Sequence, residues 1–125
     1  MVALIFDGSS WQLVLTTSAS LSRVWASSAS DVWAVGAAGF IGHYDGVSWS
    51  QVSTPTNANL RGIWGTSSSD VIAVGEGGTI VHYDGHTWSQ MTSPTTFDLW
   101  GVWGNGAANY YAAGLNQGVV LRYAP

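Results

Sequence analysis

Apolar residues along the chain come in short clusters that stop at Gly, Ser, Asp or Pro. Within residues 60–98 the clusters predict four strands, at 60–66, 70–75, 79–83 and 87–92. Between them stand Ser67-Ser68-Ser69, Glu76-Gly77-Gly78 and Asp84-Gly85, all turn chemistry. Asp-Gly between two apolar runs is a strong hairpin signal. Pro55 and Pro94 follow the fourth strand, where no ladder donor is required. No stretch sustains the helical period of about 3.6 residues, so helices are expected to be nearly absent.

The pattern repeats. Residues 21–59 and 60–98 abut without a gap, and about half of their positions are identical. Residues 99–125 begin a third copy, and residues 1–20 match the back half of one. Phe6-Asp7-Gly8 falls on Tyr44-Asp45-Gly46 and Tyr83-Asp84-Gly85, and Trp11 falls on Trp49 and Trp88. Four strands in roughly 40 residues is the period of a β-propeller blade. The expected fold is all-β: four-stranded antiparallel blades, about three per chain, in one unit spanning residues 1–125. The near-identity of adjacent copies suits an array recently amplified, truncated or engineered.

The repeated motif W-G/A-x-S-x-x-D-V-x-A-V-G-x-x-G-x-I-x-H-Y-D-G-x-x-W resembles tandem propeller repeats of large bacterial proteins, and the likeness covers essentially the whole chain. Tyr44-Asp45-Gly46-Val47-Ser48-Trp49 and Tyr83-Asp84-Gly85-His86-Thr87-Trp88 also resemble a shortened Asp-box, with one residue missing between Asp and Gly. In sialidase-like propellers that box is a structural turn remote from the active site. The resemblance therefore implies a fold and says little about activity.

The order of the pieces implies how a ring would close. An outermost strand comes early (residues 11–16) and inner strands come late (99–123), the arrangement that lets first and last blades zip together. Typical rings hold about four to eight blades, so three per chain points to closure by homo-oligomerisation. A homodimer of about six blades is favoured, and a trimer is possible. Residues 2–6 and 120–123 both read as strand three, so a composite blade would carry one strand too many.

Composition narrows the partners. The net charge is −4, with three arginines and no lysine, so there is no basic stripe for nucleic acid or for anionic lipid. No apolar run approaches the roughly 18 residues of a membrane span. The apolar start meets Asp7-Gly8 at once and has no basic lead, so no signal peptide is expected; compartment stays open. There is no cysteine, hence no disulfide or thiolate metal site.

The eight tryptophans are the most conspicuous chemistry. Trp25, Trp64 and Trp103 recur on the innermost strand, and Trp11, Trp49 and Trp88 at the start of the outermost. Residues repeated in every blade are expected to pack between blades. Asp7, Asp45 and Asp84 are expected to hold hairpins, and Asp31 and Asp70 to make turn or backbone hydrogen bonds. His43 and His82 are equivalent, but Ile5 and Arg122 replace them in the other copies, so no metal site is expected. His86 reads as a solvated turn residue.

No G-x-S-x-G elbow appears, no spacing argument links Glu76 and Asp98, the acids outside turn positions, and Gly75-Glu76-Gly77-Gly78 lacks the Lys and following helix of a phosphate loop. No cofactor and no enzymatic activity are expected. A sialidase-like hydrolase would need clustered arginines, whereas Arg23, Arg61 and Arg122 occupy different blade positions. The copies differ most where strand one begins and where strands two and three join. There Arg61, Trp100, Glu76, Asp98 and Asn116 offer charge, amide and aromatic groups suited to a polyol. The expectation is a self-assembling, lectin-like module that binds glycans; the alternative is a structural propeller fragment whose main property is ring closure.

Overall fold

The computed structural model describes residues 1–6, 8–106, 109–114 and 118–123, without the side chains of residues 3, 5 and 14. Among these residues thirteen strands form four antiparallel sheets. A hairpin comes first, β1 (Val2–Phe6) with β2 (Trp11–Thr16). The first complete sheet follows in simple order: β3 (Leu21–Ser28), β4 (Asp31–Gly36), β5 (Ile41–Tyr44) and β6 (Trp49–Gln51). The second is β7 (Leu60–Ser67), β8 (Asp70–Gly75), β9 (Ile80–Tyr83) and β10 (Trp88–Gln90). The last sheet has three strands, β11 (Leu99–Gly106), β12 (Asn109–Gly114) and β13 (Val120–Tyr123). The predicted strands of residues 60–98 differ from the observed ones by only a residue or two at each end. The second and third strands of each complete sheet are joined by a short 3-10 turn, Ala37–Gly39 or Glu76–Gly78.

The sheets pack face to face, with β7 lying against β3 on one side and β11 on the other. Two apolar cores result. Between the complete sheets lie Trp33, Val35, Ile41, Leu60, Ile63, Val71 and Trp88. Between the second complete sheet and the last lie Ile72, Val74, Leu99, Tyr110 and Ala112. Each inner strand has register shifts near both ends, at Leu60/Gly62 and Gly65/Ser67 in β7 and at the matching places in β3 and β11. Such irregularities re-aim side chains out of the pleat. They take Arg61 and Trp100 out of the ladder at one end, and Ser27 and Thr66 at the other.

Two of the expected core sets are only partly core. Trp25 and Trp64 pack into the interfaces, but Trp103 is 59% exposed, because no sheet among the described residues lies beyond β11. Trp88 is buried, Trp49 half-buried and Trp11 68% exposed. Trp33, which the repeat does not single out, is among the largest fully buried side chains. Asp45 accepts from the amides of Val47 and Ser48 at 2.9 Å each, and Asp84 from those of His86 and Thr87 at 2.8 and 2.9 Å. Those bonds hold both carboxyls below the ordinary value. Gly46 and Gly85, at φ 98° and 99°, complete these turns in a conformation natural to glycine. Asp7 lies outside the described residues.

Candidate functional site

The face where strand one begins gathers four of the five proposed ligand residues. Arg61 Nη2 donates to Glu76 Oε1 at 2.5 Å, and Asn59 Nδ2 to Glu76 Oε2 at 3.0 Å. The Arg61 guanidinium lies 4.8 Å from the centre of the Trp100 ring. Asp98 Oδ1 accepts the amide of Gly77 at 2.8 Å. In the preceding pair of sheets Asn59 Oδ1 accepts the amide of Ala38 at the same distance. Asp98 and Asn59 are therefore one repeated tie, from the start of an inner strand to the 3-10 turn of the sheet before. Asn116 lies outside the described residues.

In this cluster Arg61 and Glu76 pair with each other, and among the described residues the buried Arg61 Nε has no hydrogen-bond partner. Glu76 takes both Arg61 and Asn59, and Asp98 is committed to backbone. Trp100 remains 37% exposed beside the guanidinium. A cation over a ring at a surface contributes about 0.5–1 kcal/mol, and an exposed ion pair about as little. The Gly75-Glu76-Gly77-Gly78 stretch is the turn the sequence suggested. A Cβ on Gly78 would lie 2.0 Å from the carbonyl oxygen of Thr95, so the turn is pressed against the chain that leaves strand four.

A second cluster was not anticipated. Asp31 and Asp70 do not stay within their turns, because the start of strand two lies beside strand three and the bulged end of strand one. Asp31 Oδ1 meets His43 Nε2 at 2.6 Å, and Asp70 Oδ1 meets His82 Nε2 at 2.7 Å. Ser27 Oγ donates to Asp31 Oδ2, and Thr66 Oγ1 to Asp70 Oδ2. Tyr110, from the last sheet, also donates to Asp70 Oδ2. Burial pushes the Asp70 carboxyl up, but the hydrogen bonds from Thr66, Tyr110 and His82 outweigh it and hold it below the ordinary value. Burial and the Asp70 carboxylate push the Tyr110 hydroxyl well up. The repeat did carry a signal for this cluster: where His becomes Arg122, Asp becomes Asn109, and Arg122 Nη2 reaches Asn109 Oδ1 at 3.5 Å.

Hydroxyl, carboxylate and imidazole invite comparison with a catalytic triad, but the order is different. A nucleophilic hydroxyl must donate to the imidazole that takes its proton, with the carboxylate behind. Here the hydroxyls donate to the carboxylate. Among the described residues no group of three or more His, Asp or Glu side chains is placed to hold a metal ion. No helix among them is long and apolar enough to cross a membrane.

Comparison with solved structures settles the architecture. YCF48 from Cyanidioschyzon merolae superposes with a TM-score of 0.77 at 18% identity, over 99% of this chain and 44% of that one. YCF48 bound to a D1 peptide gives 0.73 at 18% identity, over 89% and 39%. The chain is a partial β-propeller. It spans less than half the length of those two chains, and at such identity the likeness carries the fold alone. No protein family and no curated protein matches the sequence.

Proposed function

We propose that this propeller segment is non-catalytic and that its function is to build a ring with a second copy of itself, two chains supplying six blades. The observation that carries this reading is the Trp103 ring. Trp25 covers Gly65 of the next sheet, and Trp64 covers Gly104 of the one after. Trp103 holds the same place on β11, is 59% exposed and covers no glycine among the described residues. At the opposite end of the stack, Val24 is 60% exposed, whereas Ile63, its equivalent on β7, is buried. The two open faces resemble the two halves of the interface the chain already makes twice, except that Ala26 stands on β3 where Gly65 and Gly104 stand on β7 and β11. Large exposed apolar faces mark association sites, and this pair matches in all but that methyl.

The test is solution mass by light scattering on a sizing column. A species of twice 13.2 kDa supports the reading. Three copies, about nine blades, would exceed the usual ring size, and a monomer across the accessible concentration range overturns the reading.

Trp100 supports a second reading, in which the Arg61–Glu76–Trp100 face binds a glycan through the exposed ring. A glycan array followed by calorimetry tests it, and silence across the array rejects it.

A further inference from the structure

We infer that the second copy contributes a strand as well as a face: its β2 takes the outermost position on β13, with its Trp11 seated against Tyr123 and Ile72. This inference rests on the ring-closure reading above and specifies its joint.

The template is the interface between the two complete sheets. There Trp33, Tyr83 and Trp88 form a closed aromatic trio, with centroids 4.7 Å (Trp33–Tyr83), 5.4 Å (Trp33–Trp88) and 5.5 Å (Tyr83–Trp88) apart. Trp88 belongs to the outermost strand and is 6% exposed. In the next interface Ile72 stands in the place of Trp33, and Tyr123 in that of Tyr83. The third place holds a cavity of about 140 Å³ lined by Ile72, Val74, Ile80, Met91, Leu121 and Tyr123. A recess of about 180 Å³ shares Ile72, Met91 and Tyr123 with it and reaches His82. The missing member is a tryptophan on an outermost strand.

The chain carries one such residue without a seat. Trp11 aligns with Trp88, is two-thirds exposed, and touches the Phe6 ring at 5.3 Å. It also stands almost as far before Leu21 as Trp88 does before Leu99, so β2 is tied to β3 as β10 is tied to β11. That link places β2 at the outer edge of whichever blade precedes β3. In a closed ring that blade is the last sheet of the partner.

The exchange also removes the surplus strand. Both β1 and β13 occupy position three, and a four-stranded blade holds only one. Moving β2 from β1 to β13 trades a ladder of five paired residues for one that, on the β9–β10 template, pairs three, so the exchange gives up a few backbone hydrogen bonds. The gain is the burial of Trp11 in a cavity that stays unfilled without it, as in a domain swap. β1 is then released from the sheet.

The chain has no cysteine, which makes the joint easy to mark. In the β9–β10 ladder Ser89 lies opposite His82; the corresponding pair is Gln12 and Arg122. Chains carrying Gln12→Cys are mixed with chains carrying Arg122→Cys, oxidised, and digested for mass spectrometry. The expected product is a peptide joining position 12 of one copy to position 122 of the other. As a control, Ile5→Cys and Gln12→Cys are combined in one chain, since these positions face each other in the β1–β2 hairpin. A dimeric mass, an internal 5–12 link and no 12–122 link would overturn strand exchange and leave ring closure standing. A monomeric mass would overturn both. In the exchanged ring, Trp11→Ala weakens association by about a hundredfold, and an unchanged dissociation constant counts against the seat.

Discussion

The far edge of the Trp25 indole lies directly over Gly65, so that a Cβ built on that glycine would sit 2.6 Å from the ring. Trp64 lies over Gly104 in the same way, at 2.7 Å. These glycines let two sheets approach closely enough for an indole to bridge them. Gly65→Ala is therefore expected to destabilise the chain by roughly 1–3 kcal/mol, an overpacking cost, read as a lower urea midpoint with an unchanged slope.

The corresponding position on β3 is Ala26, which carries the methyl that Gly65 and Gly104 lack. If Trp103 of a second copy lies over it, Ala26→Gly relieves a contact at the joint and nowhere else. The expected outcome is tighter dimerisation, seen as a shift of the sedimentation midpoint to lower concentration.

Trp64 and Trp103 hold the same place on successive inner strands but differ in what covers them. Trp64→Ala removes an interface side chain and should cost about 3–5 kcal/mol at every protein concentration. Trp103→Ala should leave the monomer nearly as stable and abolish only the concentration-dependent part of the melting temperature. Equal losses from the two variants would show that Trp103 supports the fold itself.

The Asp70 carboxylate joins three elements: strand one through Thr66, strand three through His82 and the next sheet through Tyr110. Asp70→Asn is expected to cost about 2–3 kcal/mol, because it weakens charge-assisted bonds in a partly buried place. Asp31→Asn should cost less, since its valine neighbour at the position aligned with Tyr110 has no hydroxyl to offer.

Acid should loosen the structure in a defined window. Asp45, Asp70 and Asp84 all lie below the ordinary value of 3.8 when folded. Between that value and their folded values the unfolded chain binds more protons than the folded one, so stability falls as pH drops. Above the window their contribution is fully present. Chemical denaturation at a series of pH values between about 2 and 6 should show this slope, and Asp70→Asn should flatten it.

The Arg61–Glu76 pair should matter little to stability. Both side chains are partly exposed, and Glu76→Gln keeps an acceptor for one of its two donors, Arg61 or Asn59. A loss within about 1 kcal/mol is expected by thermal melting.

Strand positions, turn types and the stacking of similar sheets were legible from residues alone, because they depend on local chemistry repeated in register. Asp45 and Asp84 precede a glycine and follow an aromatic, and such a stretch has few alternatives to a tight hairpin. The repeat also marked Arg61, Glu76, Trp100 and Asp98 as neighbours on one face. It did not reveal that Glu76 is already satisfied by Arg61 and Asn59, since pairing depends on distances across strands that a linear pattern does not contain. The Asp–His pairs were hidden for the same reason: their members lie twelve residues apart and meet only when strands two and three align. Most consequential is the fate of equivalent tryptophans. Identical placement in the repeat makes Trp25, Trp64 and Trp103 look alike, as it does Trp11, Trp49 and Trp88. Whether each is buried depends on the sheet that stands next to it, and burial is a property of neighbours rather than of sequence position. Local periodicity determined what a blade is; the stacking of blades decided which of its faces are filled and which remain open.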